Sequence, residues 1–383
     1  MYNFSFKNPT KLIFGKGSIS KISQEISKDK KIMLVFGGGS VKKNGVYNQV
    51  AEALEAHDYI EFWGVEPNPT YETLMKAVLQ AREHQVDFLL AVGGGSVIDG
   101  TKFIASAIPY ESEPWELVLN DKTIKQVVPL ASVLTLPATG SEMNGGAVIS
   151  KKSTQEKYAF HHPLIYPTFS VLDPESCYSL PKEQIAAGIA DTFVHVLEQY
   201  LTKTNQSMVM DRFAEGLLLT LIKLAPKLML NHQNYDDMAN FMLTATMGLN
   251  GFVGMGVMQD WATHLIGHEL TALHGLTHGV SLAVVGPALM QVMRKDKEDK
   301  LIQYAERVWN IKGKDKNETI DTAIDCTEKF YRSLGIKTKL SEHGIGEDAV
   351  TEIVRRFTER NTILGENQNI TPDKVKEILD VCK

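Results

Sequence analysis

Four histidines, His264, His268, His274 and His278, lie between Trp261 and Gly279 in a chain that has 11 histidines in 383 residues. Such a concentration suits metal binding and proton transfer. His264 and His268 are four apart, so on a helix they share one face. His278 lies fourteen residues beyond His264, about 21 Å of rise on an unbroken helix. One ion with ligand bonds of about 2.1 Å cannot bridge that span. Either the two never meet, or the chain turns back between them. Gly275 and Gly279 permit a break, because glycine ends helices in the left-handed conformation. Spacing alone leaves both pairings open, His264 with His268 or His264 with His278.

A second segment supplies partners. Residues 187–198, AGIADTFVHVLE, have a helical pattern in which Asp191 and His195 face one way from an apolar run. A carboxylate among Ile, Phe, Val and Leu is costly unless it is paired or metal-bound. Alone, the two residues read as a core Asp–His hydrogen bond. Beside the histidine-rich stretch they point to a divalent metal site with Asp and His ligands.

The elements that must hold these residues are legible in outline. The length suggests two domains. Lys31–Phe36, Tyr59–Val65 and Val86–Val92 read as strands, each followed by a helical pattern, and Tyr71 to His84 is one such helix. Continuous apolar runs of this kind suit buried parallel strands. Residues 127–137 are a further strand, and 148–149 and 168–172 are short ones. From Pro181 onward the patterns are helical. The expected fold is an α/β N-terminal domain, residues 1–180, with a doubly wound, Rossmann-like parallel sheet. An all-α C-terminal domain, residues 181–383, follows. The charged stretch from Arg294 to Lys300 reads as a solvated helix face or loop.

With 43% hydrophobic and 22% charged residues, the chain has the composition of a globular protein with a substantial core. A net charge of −6 and the lack of a basic stripe argue against nucleic acid as a partner. Cys177, Cys326 and Cys382 are far apart and odd in number, which suits reduced thiols and a cytoplasmic location. The first residues have no apolar core of signal-peptide length, and no apolar run is long enough to span a membrane.

Two strand–Gly-Gly-Gly-Ser–helix units stand at residues 37–40 and 93–96. Neither has the G-x-G-x-x-G spacing of the usual dinucleotide fingerprint. Glycines still let backbone approach a phosphate closely, with a helix N-terminus behind them. A tight strand–helix turn also needs glycine, so one such loop says little. Two in one sheet suggest a dinucleotide across the strand ends. Residues 37–40 carry no acid to hold a ribose diol and repel a 2′-phosphate, and Lys42 and Lys43 follow. That favours NADP, although both lysines could simply coat a surface helix. Residues 93–96 suit the pyrophosphate.

The segments GGGSVID at 93–99, TLPATGSE at 135–142, Asp191-x-x-x-His195, and His264-x-x-x-His268 with His278-Gly279 resemble the iron-dependent, group III alcohol dehydrogenases. The resemblance runs through essentially the whole chain in order. FGGGSVKK at 36–43 and EPNP at 66–69 are most similar to the NADPH-dependent butanol dehydrogenase and broad-range aldehyde reductase branch. The resemblance implies a dehydroquinate synthase-like architecture, with metal and nicotinamide in the cleft. It implies Asp191, His195, His264 and His278 as ligands of one divalent ion, iron(II) or zinc, and hence a chain reversal near Gly275. His268 then lies off the metal as a candidate to position substrate or relay a proton, with His274 a second candidate. Gly38, Ser40 and Asn68 fall at the adenosine end. Gly94, Gly95 and Ser96 fall at the pyrophosphate, and Thr135, Thr139 and Lys157 near ribose and nicotinamide.

The expected activity is hydride transfer between NADP(H) and a small primary alcohol or aldehyde such as butanol or butanal. The divalent ion would act as a Lewis acid, and the expected assembly is a homodimer. A dehydroquinate synthase-type or glycerol dehydrogenase-type enzyme shares the architecture. A catalytically silent nucleotide-binding protein is the reading from another class.

Overall fold

The structure is a computed structural model and describes residues 1–203 and 207–383. Eight strands are present among the described residues. They are β1 (Lys11–Phe14), β2 (Lys31–Phe36), β3 (Asp58–Phe62), β4 (Phe88–Gly94), β5 (Leu130–Leu136), β6 (Gly146–Lys151), β7 (Glu156–His161) and β8 (Phe169–Leu172). Six of them form one sheet in the order β1-β8-β5-β4-β2-β3, with every neighbouring pair parallel. The expected parallel, Rossmann-like sheet is therefore present. In β2, Ile32 to Phe36 are all fully buried, as befits a central strand covered on both faces. Ile32, Leu34 and Phe36 join Leu90, Val92, Ala131 and Val133 in one core cluster. The sequence direction reverses at β2: the chain steps outward to β3, then returns on the other side of β2 as β4. The carboxyl ends of β2 and β4 thus flank the switch point where ligands bind in open α/β sheets.

Strands β6 and β7 form a separate antiparallel hairpin. Sequence reading found only a fragment of β6 and passed over β7. EKYAFH mixes charged and apolar residues in a strand that is only half buried, so its pattern is weak.

The chain divides into two compact units. The sheet unit comprises Lys7–Pro181 together with His232–Asn250, and the helical unit comprises Met1–Phe6, Lys182–Asn231 and Gly251–Lys383. The helix Tyr235–Gly248 thus falls within the sheet unit, beyond the single boundary expected near residue 180. Thr246 donates to the buried Glu142 carboxylate at 2.5 Å, and Asn144 Nδ2 donates to the Leu249 carbonyl at 3.0 Å. A helical period marks such a segment as a helix but not the unit it packs in.

The helical unit is built on three helices, Lys182–Tyr200, Ala262–His274 and His278–Val292. The last is apolar on all sides, with Leu282, Ala283, Val284, Val285 and Ala288 buried, as a central helix must be. The stretch from Arg294 to Lys300 is only partly the solvated face expected of it: Lys295, Asp296 and Asp299 are exposed, but two lysines are not. Lys297 and Lys300 are each 5% exposed. Lys297 Nζ reaches Asp260 at 2.6 Å, Glu366 at 3.0 Å and the Leu201 carbonyl at 2.8 Å, and Lys300 reaches Asp211 at 2.6 Å. Buried ammonium groups need such partners, and these acids are too distant in sequence for a local charge pattern to reveal them. Among the described residues, no helix is long and apolar enough to cross a membrane.

Candidate metal and nucleotide sites

Within the helical unit, Asp191 and His195 sit one turn apart on Lys182–Tyr200, both 3% exposed. The Ala262–His274 helix carries His264 and His268, and ends at Gly275 with φ 68°. That left-handed residue turns the chain, and Thr277 N-caps the next helix, which begins at His278. The reversal returns His278 to the neighbourhood of His264, with ring centroids 5.2 Å apart. Gly279 plays a different part from the turn-former expected of it. It lies inside the first turn of the new helix, and a Cβ there would stand 2.1 Å from the Ala187 carbonyl oxygen. Its missing side chain lets the His278 helix rest directly on the helix that carries Asp191.

One atom each from Asp191, His195, His264 and His278 lies within 4.8 Å of every other in this set. Asp191 Oδ1 is 3.5 Å from His195 Nε2, 3.8 Å from His264 Nε2 and 3.6 Å from His278 Nε2. These separations are at or beyond hydrogen-bond length. Four ligands held tetrahedrally at about 2.1 Å from one ion stand about 3.4 Å apart, so the donor set fits a divalent cation. His264 Nε2 is buried and makes no hydrogen bond among the described residues. Burial disfavours a charged His264, yet Glu198 and Asp191 outweigh it and hold its pKa up to about 9. The same two carboxylates favour any cation at this place. His278 has the most exposed side chain of the four, at 21% against 4% for Asp191, so the group opens to solvent on its side.

His268 is buried and its ring lies 5.3 Å from that of His278, adjacent to the four-atom group but outside it. His274 is exposed in the last turn of its helix, and burial of its remaining surface lowers its pKa. Gly275 turns the chain immediately after it, and the structure does not bring His274 to the group. Sequence reading assigned no role to Glu198. This acid stands three residues after His195 in the same apolar run and accepts a hydrogen bond from His264 Nδ1. Trp261 was likewise passed over. It adopts φ 66°, left-handed and rare for a bulky residue, and its ring lies edge-on to His264 at 5.2 Å.

Within the sheet unit, the nucleotide candidates gather at the carboxyl ends of β2, β4 and β5. Gly38 has open space about its Cβ position, Gly39 is left-handed at φ 92°, and Ser40 begins a single helical turn. Gly94 and Gly95 are required by packing as well: a Cβ on Gly94 would meet Leu136 at 3.0 Å, and one on Gly95 would meet Thr139 Oγ1 at 2.4 Å. Thr135, 7% exposed, is near the end of β5. Lys157, on β7, donates to Asn68 Oδ1 at 2.8 Å, and the Asn68 amide donates to Ser96 Oγ at 3.3 Å. Three candidates from distant segments are thus linked. Lys42 is laid over the ring of Trp63, 4.1 Å from its centroid. Beneath the second loop, the fully buried Lys102 donates to Ser141 Oγ at 2.8 Å and to the Gly146 carbonyl at 2.7 Å. Burial pulls its pKa down to about 8 against the opposing pull of Asp99 and Glu142. It ties the helix after β4 to the loop bearing Thr139.

A parallel sheet with glycine loops at its switch point, and a separate helical unit with a three-histidine, one-aspartate group, define a class. Residues 9–174 match the family described as iron-containing alcohol dehydrogenase, and residues 185–382 match the Fe-containing alcohol dehydrogenase family, C-terminal. The chain belongs to the iron-containing alcohol dehydrogenase family.

Particular relatives can also be named. The chain is 51% identical over 387 residues to the NADPH-dependent aldehyde reductase YqhD of Escherichia coli K12, covering 100% of both chains. It is 39% identical to the NADH-dependent butanol dehydrogenase A of Clostridium acetobutylicum, over 100% of this chain and 99% of that one. The crystal structure of E. coli K-12 YqhD superimposes with a TM-score of 0.98 at 50% identity, over 100% of this chain and 99% of that one.

Proposed function

We propose that the protein is a metal-dependent alcohol dehydrogenase and aldehyde reductase. It interconverts small primary alcohols and aldehydes, such as butanol and butanal, with NADP(H). The observation that carries this reading is the Asp191, His195, His264 and His278 group, whose spacing fits one divalent ion, iron(II) or zinc. When bound, the ion supplies Lewis acidity toward the substrate oxygen and NADPH supplies the hydride. The chain's residues do the rest. Asp191 brings a negative charge to the ligand set, and the three imidazoles complete it. His268, beside His278, holds or moves the proton that the product oxygen needs. Gly38 and Ser40 receive the adenosine end, with Asn68 close by. Gly94, Gly95 and Ser96 present backbone and hydroxyl donors to the pyrophosphate. Thr135, Thr139 and Lys157 orient the ribose and nicotinamide.

With iron(II) or zinc present, NADPH absorbance should fall when butanal is added. A chelator should abolish the change, and either ion should restore it. A dehydroquinate synthase-type enzyme or a silent nucleotide binder would consume no NADPH, and that result would overturn the reading.

The choice of NADPH over NADH rests on the first loop. No acid stands in residues 37–40. Glu61, on neighbouring β3, is engaged by Tyr47 Oη at 2.8 Å and Trp63 Nε1 at 2.7 Å. kcat/KM should therefore be higher with NADPH, and an NADH preference would sink the assignment. Gly38→Asp should cut kcat/KM for NADPH roughly tenfold or more while sparing NADH, since about 1.4 kcal/mol of repulsion suffices. Gly38 is the better position for this test, because Gly39 is left-handed and an aspartate there would also strain the loop.

A further inference from the structure

Glu198 lies on the Lys182–Tyr200 helix, seven residues after Asp191 and three after His195. It is 5% exposed, a depth at which a carboxylate is tolerated only with partners. Both oxygens have one. Oε2 accepts from His264 Nδ1, and Oε1 accepts from the Thr263 backbone amide at 2.6 Å. Thr263 is the second residue of the Ala262–His274 helix, so its amide is among those a helix cannot satisfy internally. One carboxylate thus grips both the backbone and the ring of the segment that carries His264.

We propose that Glu198 is a positioning residue for the metal group, a role that rests on the metal-dependent reading above. With its proton directed to Glu198, His264 Nδ1 is the donor nitrogen. That leaves Nε2, 3.8 Å from Asp191 Oδ1, as the nitrogen that would offer its lone pair to an ion. Carboxylates placed behind metal-binding histidines in this way fix tautomer and ring orientation and raise ligand basicity. The Thr263 contact fixes the helix end at the same time, so the ring cannot swing without the backbone.

The neighbouring Asp260 supplies an internal control. Its Oδ1 accepts from the Ala262 amide at 2.8 Å, and its Oδ2 pairs with Lys297 at 2.6 Å. It secures the same helix end, and none of its hydrogen bonds runs to His264. A purely structural role for Glu198 would make the two acids equivalent.

Glu198→Gln offers one acceptor and one donor where glutamate offers two acceptors. If the amide nitrogen faces His264, Nδ1 must accept, and the proton moves to Nε2, where it blocks ligation. If it faces Thr263, the helix cap is lost. The test uses the full chain, stripped of metal and titrated with zinc against a chromophoric chelator. The thermal midpoint of each metal-free variant is measured alongside. Glu198→Gln should bind zinc 10- to 100-fold more weakly than wild type. The visible bands of its cobalt(II)-loaded form should shift. Asp260→Asn should lower the metal-free thermal midpoint while keeping zinc affinity within about threefold of wild type. If Glu198→Gln does not fold, Glu198→Asp is measured instead, since a side chain one carbon shorter cannot hold both donors. Wild-type affinity in the folded Glu198 variant overturns the proposal, as does an equal loss of affinity in Asp260→Asn. If wild type itself binds no zinc, the metal-dependent reading fails and takes the role of Glu198 with it, an outcome distinct from loss of affinity in the variants alone.

Discussion

His278→Ala should purify without metal and without activity, while His268→Ala should keep a full complement of metal and lose only rate. The two rings are 5.3 Å apart, so the experiment separates near neighbours by role. His278 Nε2 is 3.6 Å from Asp191 Oδ1, at the spacing of two ligands on one ion. Removing it leaves three donors and opens the side of the group already closest to solvent. His268 is outside the four-atom set. Its loss should lower kcat by roughly 10²- to 10⁴-fold if it transfers a proton, and by less if water substitutes. Elemental analysis of the two variants decides the matter. A metal-free His268→Ala with a fully loaded His278→Ala would reverse the assignment and restore the pairing that helix spacing alone nominates.

Gly279→Ala should be nearly as damaging, although the residue has no side chain to take part in chemistry. Its Cβ would fall 2.1 Å from the Ala187 oxygen and 2.8 Å from the Ala187 carbonyl carbon. Ordinary carbon–oxygen contacts are about 3.3 Å or longer, so the helices bearing His278 and Asp191 must separate by about 1 Å. Metal sites tolerate about 0.2 Å. Metal binding should fall well below stoichiometric, with about 1–3 kcal/mol of stability lost to overpacking. Gly275→Ala is the contrasting case. Its surroundings are open but its φ is 68°, so alanine should cost about 1–2 kcal/mol of strain and leave the metal in place. Thermal denaturation and metal content read both variants. Full metal in Gly279→Ala, or equal metal loss in Gly275→Ala, would refute the packing account.

These two glycines also mark where sequence reading ends. The left-handed conformation at Gly275 is a local property, announced by residue type beside a helical period. The contact between Gly279 and Ala187 joins segments far apart in the chain, and no local pattern reports it. The same division applies elsewhere. β2 from Ile32 onward and β4 are continuous buried apolar runs ending in glycine loops, and they were legible as such. β7 is half exposed and irregular, and it was missed together with the burial of Lys157 upon it. Asp191, His195, His264 and His278 were legible as metal-binding types, but spacing left open whether His268 or His278 joined His264. Glu198 was visible as an acid in an apolar helix, yet its partner lies 66 residues away. Lys297 and Lys300 looked solvated because their acids lie 37 to 89 residues away. His274, a second candidate by resemblance, is exposed at the end of its helix and outside the four-atom group.

The division of the chain into units has a consequence for how the molecule is made. The helix Tyr235–Gly248 belongs to the sheet unit, though residues 182–231 of the helical unit precede it. Chains emerge from the ribosome from the N-terminus, and domains tend to fold as they appear. Here that order is interrupted. The sheet unit cannot complete itself until residue 250 has been synthesised, because Glu142 awaits Thr246 and Asn144 awaits Leu249. By then the helix with Asp191 and His195 is already out, while His264 and His278 are still to come. Nascent protein thus passes through an interval in which Asp191 and His195 have been made without His264 and His278, so the four-residue group can assemble only late in synthesis.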